Sequence, residues 1–342
     1  MHSALWQTSP LSGDPLFFIC AEGAAQATAR LLLTPKTTPQ LAKATGEIAY
    51  EAGRDFTWQP GTREIVLTSD SRIPFRREAE LMPPPGSPDS IAANHDGTKH
   101  LLFGEGHFFH DQQVAAEYTP AEPWLGPRPA ADPAALARAL AHLKNREPLK
   151  IVLLGDSIST GANASGPMGA PPHHPAYQDL VVSELRKRFG GPISLHNLSV
   201  GGMDAPWGVK QMPAAIAAAP DLFIVAFGMN DASGRRSSVD YGDCVRQMAS
   251  AMQAARPACD VIVVATMTAN AVWQYAAPAL YPAYLDKLLA LRAPGFAVAD
   301  VTTSWTWIAA RKHYLDLTGN GVNHPNDFGH HLYADVILAL FG

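Results

Sequence analysis

A serine at the end of an apolar run is the residue best placed to do chemistry in this chain. Residues 150–159 read KIVLLGDSIS, so an apolar segment stops abruptly at Gly155, Asp156 and Ser157. Such a run predicts a buried parallel strand, and ligands bind at the carboxyl ends of these strands in open α/β sheets. Ser157 is therefore a candidate nucleophile, which would need a base and donors for an oxyanion.

Candidate oxyanion donors follow two further apolar runs. Asn230 stands in FGMND after the run at 222–227, and its side-chain amide can donate a hydrogen bond. Gly201 and Gly202 end the segment NLSVGG, where a glycine can direct a bare backbone N–H into a cleft.

A histidine near the C-terminus is the candidate general base. His324 lies in a loop, just before the helix predicted for 328–340, and a loop allows an imidazole to approach the serine. His330 and His331 come at the start of that helix, where surface or packing roles are expected.

The elements that must position these residues follow from the alternation of apolar runs with helix-forming segments after residue 148. This alternation predicts an α/β fold with a mostly parallel sheet. The predicted strands cover 151–154, 193–198, 222–227, 261–265 and 297–301, and the predicted helices cover 178–188, 205–218, 241–255, 282–291 and 328–340.

The first part of the chain has a different pattern. Short apolar segments separated by turn residues predict an N-terminal β-sandwich, or jelly roll, over residues 1–120. A proline-rich linker with a connecting helix is predicted for 121–147, with Asp132 as the N-cap, and the catalytic domain for 148–342. The strands predicted in the first part are 16–20, 30–33, 47–50, 56–58, 64–67, 101–103 and 113–118.

The four chemical blocks, in this order, resemble those of the SGNH (GDSL-type) hydrolase family. They read GDSIS, NLSVGG, GMND and HP in this sequence, and the resemblance spans about residues 148–342. It implies a three-layer parallel sheet flanked by helices, with Ser157 as nucleophile and His324 as base. It also implies an oxyanion hole made of the backbone N–H groups of Ser157 and Gly202 and the side chain of Asn230.

One position departs from the family pattern. The family has an aspartate three residues before the histidine, and Gly321 stands there in this chain. Three arrangements are open: a backbone carbonyl orients the imidazole of a Ser–His dyad, Asp316 or Asp327 approaches in space, or the site is impaired. We favour the dyad or backbone acceptor, since any good acceptor at Nδ1 fixes the tautomer, with Asp316 as second choice.

The reaction implied is acyl transfer to water through an acyl-enzyme. The layout is similar to two-domain carbohydrate acetylesterases with an N-terminal β-sandwich, so an acetylated carbohydrate is the expected substrate. Trp207 and Trp273 are candidates for the substrate rim. The alternatives are a general short-chain esterase, thioesterase or lysophospholipase, and, outside the enzymes, a glycan-binding protein with an impaired site.

Composition limits the other classes of function. The net charge of −5 and the lack of a basic block argue against nucleic acid as a partner. No apolar run approaches the roughly 20 residues of a membrane span. Without a visible signal peptide, a cytoplasmic location is expected, or secretion if a leader had been removed. Three cysteines predict reduced thiols.

A metal or cofactor is not expected. The first part of the chain contains four histidines that lack cysteine partners and the spacing of a zinc site. No phosphate-binding glycine motif follows a predicted strand. The four histidines are His95, His100, His107 and His110.

Overall fold

The computed structural model describes residues 4–7 and 10–342. Its N-terminal part consists of short strands, almost all antiparallel, because turn residues interrupt the apolar segments every few positions. The elements are β1 (Leu11–Leu16), β2 (Phe18–Cys20), β3 (Thr28–Arg30), β4 (Gln40–Lys43), β5 (Ala49–Tyr50), β6 (Phe56–Trp58), β7 (Glu64–Leu67), β8 (Phe75–Arg77), α1 (Glu78–Leu81), β9 (Ser90–Ala92), β10 (His100–Leu102) and β11 (Val114–Tyr118).

These strands form two sheets and a hairpin. One sheet has the order β1-β11-β4-β5, the other has the order β6-β7-β3-β2-β8, and β9 pairs with β10. Among the described residues, the β2–β8 pair is the parallel exception. The N-terminal part is therefore mostly antiparallel β-structure, consistent with the predicted sandwich.

The prediction of a single strand over 16–20 is wrong, because β1 ends at Leu16 and β2 begins at Phe18. The break falls at Phe17, whose backbone N–H donates to the carboxylate of Asp316 over 2.6 Å instead of to a neighbouring strand. Asp316 belongs to the C-terminal part, so the break is also a point of attachment between the two parts.

A buried polar network joins the two parts more firmly. Lys312 Nζ lies 2.9 Å from the carboxylate of Asp14, and the side chains of both residues are fully buried. Asp14 also accepts hydrogen bonds from the Tyr118 hydroxyl and the Leu32 backbone, each over 2.7 Å. Buried charges are costly unless paired in this way, so the network favours one docking geometry.

The connecting helix α2 (Ala137–Asn145) begins later than predicted. Asp132 is not its N-cap. Instead, the carboxylate of Asp260 accepts hydrogen bonds from the backbone N–H groups of Arg138 and Ala139, over 2.9 and 2.8 Å. A distant side chain thus satisfies the free amides of this helix, which local sequence could not reveal.

The C-terminal part is a parallel sheet flanked by helices, as predicted. Its five strands have the order β13-β12-β14-β15-β16, and every pair is parallel. The elements are β12 (Leu149–Gly155), α3 (Ser157–Thr160), α4 (Tyr177–Phe189), β13 (Ile193–Asn197), α5 (Ala205–Ala217), β14 (Leu222–Ala226), α6 (Met229–Ser233), α7 (Ser238–Ala255), β15 (Asp260–Ala265), α8 (Leu280–Leu289), β16 (Phe296–Asp300), α9 (Val301–Ala309), α10 (Tyr314–Leu317) and α11 (Asp327–Ala339).

All five predicted strands and all five predicted helices of this part are present, with small differences at their ends. The sequence did not predict the short helices α3, α6 and α10, nor α9, which starts directly after β16. Asp300 ends the strand and caps the helix by accepting from the Thr303 backbone over 2.9 Å. The three cysteines of the chain are free. No described helix is both long and apolar enough to cross a membrane.

Candidate functional site

Ser157 stands just after the carboxyl end of the interior strand β12, as the first residue of the short helix α3. The turn needs Gly155, because a Cβ there would lie 2.5 Å from Ser159 Oγ and 2.6 Å from the Ala226 carbonyl. Asp156 caps the helix by accepting from the Ile158 backbone over 3.0 Å. Burial raises the pKa of Asp156 to about 7, and its carboxyl group faces the backbone of the turn.

The structure brings His324 to this serine. Its Nε2 atom lies 2.9 Å from Ser157 Oγ. The backbone of His324 is held in place because its carbonyl accepts from the Gly319 N–H over 3.0 Å and from the Thr318 hydroxyl over 2.9 Å. The imidazole is 12% exposed, so it is restrained by its surroundings on most sides.

Asn163 holds the other side of the imidazole. This asparagine is fully buried, and its Oδ1 atom lies 2.7 Å from His324 Nδ1. Its Nδ2 atom donates to the carbonyls of Gly106 and Gly319, over 3.1 and 3.0 Å.

These contacts determine the tautomer of the histidine. A carbonyl can only accept, so the NH₂ group of Asn163 faces the two carbonyls and its oxygen faces the imidazole. Asn320 Nδ2 also lies 3.1 Å from His324 Nδ1, but its two hydrogens have two other oxygen acceptors, over 3.0 and 3.3 Å. His324 Nδ1 therefore carries the proton. The lone pair then lies on Nε2, where it can accept the proton of the Ser157 hydroxyl.

Asn163 was not foreseen from the sequence, which offered a backbone carbonyl or an aspartate for this place. The carboxylate of Asp316 accepts instead from the backbones of Phe17 and His313, over 2.6 and 3.0 Å. Asp327 accepts from the Ser165 backbone over 2.7 Å. Within residues 4–7 and 10–342, neither aspartate has a hydrogen bond or ion pair with His324.

The N-terminal part occupies the place where the family pattern has its aspartate. Gly321 has a φ of +94°, and a Cβ there would lie 2.4 Å from the carbonyl oxygen of Leu102 and 3.0 Å from the ring of Phe109. Both residues belong to the segment that follows β9. The glycine is required because the backbone of another part of the chain passes through that space.

A carboxylate from that same segment lies beside the imidazole. Glu105 Oε2 is 3.8 Å from His324 Nδ1, and the Glu105 side chain is 55% exposed. Its other oxygen accepts from Asn320 Nδ2 over 3.3 Å. Partial burial raises the pKa of Glu105, but the neighbouring side chains of His324, Asn320 and Asn163 outweigh burial, so that the net pKa is lowered. No sequence signal pointed to Glu105.

The glycine loop that follows β13 lies beside the serine. The Val200 N–H donates to the Gly155 carbonyl over 3.2 Å, which ties their loop to the end of β12. A Cβ on Gly201 would lie 3.7 Å from the Cβ of Ser157. Gly202 has a φ of +79° and faces open space. In the described part of the chain, the backbone amides of Ser157 and Gly202 donate no hydrogen bond, so both are available to a ligand.

Asn230 lies on the short helix α6, which follows β14. One hydrogen of its amide goes to the Met203 carbonyl over 2.9 Å, which leaves the second hydrogen for a ligand. Asp231 braces this arrangement by accepting from the Ala205 backbone and from Arg236, over 3.1 and 2.7 Å. Burial raises the pKa of Asp231 to about 6, against the opposing effect of these hydrogen bonds.

The two candidate rim tryptophans occupy different surroundings. Trp273 packs beside Val322, close to the histidine in the chain, and against Ala93 of the N-terminal part. Its ring lies 5.3 Å from that of Tyr275, which is 43% exposed. Trp207 sits on α5 with its ring 6.4 Å from Phe227. Both tryptophans also pack against the main core, so what distinguishes Trp273 is its place beside the loop that carries His324.

A separate cavity of about 360 Å³ lies between β1 and the final helix α11. Neither Ser157 nor His324 lines it. Its walls include Leu11, Gln113 and Phe328. The serine instead stands at an open face, since both Gly201 and Gly202 beside it are exposed.

Comparison with known proteins gives one family. The model of the GDSL-like lipase/acylhydrolase family matches residues 153–332, just over half of the chain. The matched span contains all four chemical blocks. This confirms the family predicted from those blocks. No curated protein matches the chain.

Several solved structures are similar to this chain. One is a two-domain esterase active on acetylated mannans, crystallised with mannopentaose. It is 24% identical to this chain, with a TM-score of 0.47. The match covers 61% of this chain and 53% of that protein, so this chain spans about half of its length. Another is an acetylxylan esterase from Geobacillus stearothermophilus, 16% identical with a TM-score of 0.45, covering 57% of this chain and 94% of that one. A carbohydrate esterase of family 3 from Talaromyces cellulolyticus is 20% identical with a TM-score of 0.42, covering 56% and 94%.

Proposed function

Because the chain belongs to the GDSL-like lipase/acylhydrolase family, we propose that it is a serine-dependent carboxylic ester hydrolase whose nucleophile is Ser157. The observation that carries the proposal is the distance of 2.9 Å between Ser157 Oγ and His324 Nε2. A serine hydroxyl is a weak nucleophile until a base takes its proton, and the tautomer fixed by Asn163 leaves Nε2 free to do so.

The reaction proceeds in two steps. Ser157 Oγ attacks the ester carbonyl while His324 Nε2 takes its proton, and the imidazolium then protonates the departing alcohol. Water attacks the resulting acyl-enzyme, with His324 again as base, and releases the acid and the free serine. The backbone amides of Ser157 and Gly202 and the side chain of Asn230 donate to the oxyanion of both tetrahedral intermediates.

The acyl group that we propose is acetyl, carried by a carbohydrate. Support comes from the open face around Ser157 and from the absence of a long apolar lid segment in the sequence. Trp273 and the exposed Tyr275 lie beside the histidine loop, and such rings combine an apolar face with a polar tip. They suit a sugar, which is also apolar on its ring faces and polar at its edges.

Hydrolysis of p-nitrophenyl esters tests the reaction. The wild-type protein should hydrolyse p-nitrophenyl acetate, and Ser157→Ala should lower kcat/KM by about 10⁴-fold or more. Ser194→Ala, at an exposed position of β13, is a matched control that should keep full activity. Equal rates for the wild type and Ser157→Ala would exclude the proposed mechanism and favour a glycan-binding protein with an impaired site.

Two further assays separate the substrate classes. In a series from acetate to decanoate, we expect the rate to fall steeply as the acyl chain grows, whereas a lipase or lysophospholipase would prefer the longer chains. Acetate release from acetylated xylan, acetylated mannan and acetylated monosaccharides tests the carbohydrate. Activity on p-nitrophenyl acetate without release from any of these would leave a general short-chain esterase.

A further inference from the structure

We propose that Glu105, a residue of the N-terminal part, is a positioning residue of the hydrolytic site and provides the negative charge behind His324 that the family's aspartate would otherwise provide. This inference rests on the proposed function, since it assigns a residue to the same site. It gives the N-terminal part a direct role in the reaction, in addition to any role in binding substrate.

The first support is the space behind His324. The usual position of the carboxylate, Gly321, is closed by the Leu102 carbonyl, which would lie 2.4 Å from a Cβ. Asn270 fixes this turn by donating to the Gly321 carbonyl over 2.9 Å. The C-terminal part therefore cannot supply its own aspartate there, and any charge must come from another segment.

The second support is the way in which the chain holds Glu105. The backbone N–H of Gly104 donates to the Asn320 carbonyl over 3.2 Å. The carbonyl of Gly106 accepts from Asn163 Nδ2 over 3.1 Å. The two neighbours of Glu105 are thus bonded to the two asparagines that flank the imidazole, so the backbone of Glu105 is fixed relative to His324.

The third support is the placement of the carboxylate itself. Its two oxygens point to Asn320 Nδ2, at 3.3 Å, and to His324 Nδ1, at 3.8 Å. The Nδ1–H hydrogen bond goes to Asn163, so Glu105 acts on the imidazole through its charge and not as the hydrogen-bond acceptor. In the part of the chain that the structure describes, this is the one carboxylate within 4.0 Å of a ring nitrogen of His324.

The other groups around the imidazole do not duplicate this charge. Ser157 and Asn163, from the loop after β12, are uncharged, and so is Asn320. His330, on α11, is fully buried, and burial lowers its pKa to about 4, so it stays neutral where the enzyme works. Asn163 and Glu105 therefore have separate roles, since the amide fixes the tautomer and the carboxylate stabilises the imidazolium formed when the serine is deprotonated.

The test compares Glu105→Gln with the wild type over a range of pH. We expect kcat/KM at neutral pH to fall about threefold, mainly through kcat, because the imidazolium is less stable in the transition state. The acidic limb of the pH–rate profile should move to lower pH by about half a unit, since a nearby negative charge favours the protonated base. High salt should lower kcat/KM of the wild type towards that of the variant, because the half-exposed carboxylate is screened by ions.

Glu64→Gln is the matched control, since it removes the same charge from an exposed position on β7. We expect it to match the wild type in rate and profile. The proposal is overturned if Glu105→Gln keeps the wild-type rate, or if it loses activity with an unmoved acidic limb, which would indicate a structural role. These outcomes concern Glu105 alone, because Ser157→Ala would still be inactive; an active Ser157→Ala would instead overturn the proposed function.

Discussion

The two ring nitrogens of His324 are surrounded by different parts of the molecule. On the Nε2 side, the serine and the oxyanion donors all follow strands of one parallel sheet, and regular elements set their positions. On the Nδ1 side, the contacts come from loops, and two of the residues involved, Glu105 and Gly106, belong to the N-terminal part. We call the Nε2 side the reactive side and the Nδ1 side the supporting side. The sheet determines the geometry of the reactive side, whereas the geometry of the supporting side depends on how the two parts pack together.

This difference has a consequence for how the protein is divided. A catalytic domain cut at residue 148 would keep Ser157, His324 and Asn163. It would lose Glu105 and the Gly106 carbonyl, which orients the Asn163 amide. The site that we propose thus extends across the domain boundaries predicted from the sequence.

The largest expected effect is on the reactive side. His324→Ala should lower kcat/KM for p-nitrophenyl acetate by about 10⁴-fold, because among the described residues His324 is the one base hydrogen-bonded to Ser157 Oγ. The melting temperature should change little. His196→Ala, at an exposed position of β13, is the control and should stay active. If His324→Ala kept more than a tenth of the activity, the base would have to be another group.

The next effect is on the supporting side. Asn163→Ala removes the acceptor at Nδ1 and the bonds to Gly106 and Gly319, so we expect kcat/KM to fall about 10²-fold. Since the loss is in orientation, KM should change much less than kcat. An unchanged kcat would show that another acceptor fixes the tautomer.

A smaller effect is expected when the family's aspartate is put back. Gly321→Asp places a Cβ against the Leu102 carbonyl, so it should lower the melting temperature by several degrees and the activity about tenfold. Gly53→Asp is the control, since it has a similar φ of +85° but faces open space. A gain of activity in Gly321→Asp at an unchanged melting temperature would mean that the N-terminal backbone does not block this position.

The smallest effect on catalysis is expected at Asp316. Asp316→Asn should keep kcat within about twofold, because the carboxylate contacts Phe17, His313 and Lys312 and not His324. The free energy of unfolding should fall by about 2 kcal/mol through the weakened buried ion pair and hydrogen bonds. Asp70→Asn, at an exposed turn, is the control for both measurements. A tenfold loss of kcat in folded Asp316→Asn would return Asp316 to the candidate acids.

The sequence predicted the reactive side well, for a physical reason. Strands buried on both faces of a parallel sheet are continuous apolar runs, so β12, β14 and β15 are visible without alignment. The residues that follow them must lie at one edge of the sheet. Ser157 and Asn230 could therefore be placed at that edge from the sequence alone.

The supporting side could not be predicted, because its contacts are made between distant segments. Asn163 is 161 residues from His324 along the chain, and it sits in a loop with a left-handed φ of 61°. The same limit explains the missed cap of α2, where Asp260 replaced the local candidate Asp132. Which side chain fills such a place depends on tertiary packing, which periodicity does not encode.

Covalent trapping of the nucleophile tests the central claim most directly. A fluorophosphonate should add one phosphonyl group to the wild-type protein, and peptide mass spectrometry should locate it on Ser157. Labelling should be absent in Ser157→Ala and much slower in His324→Ala. No labelling of the wild type, or a label on any other residue, would contradict the account.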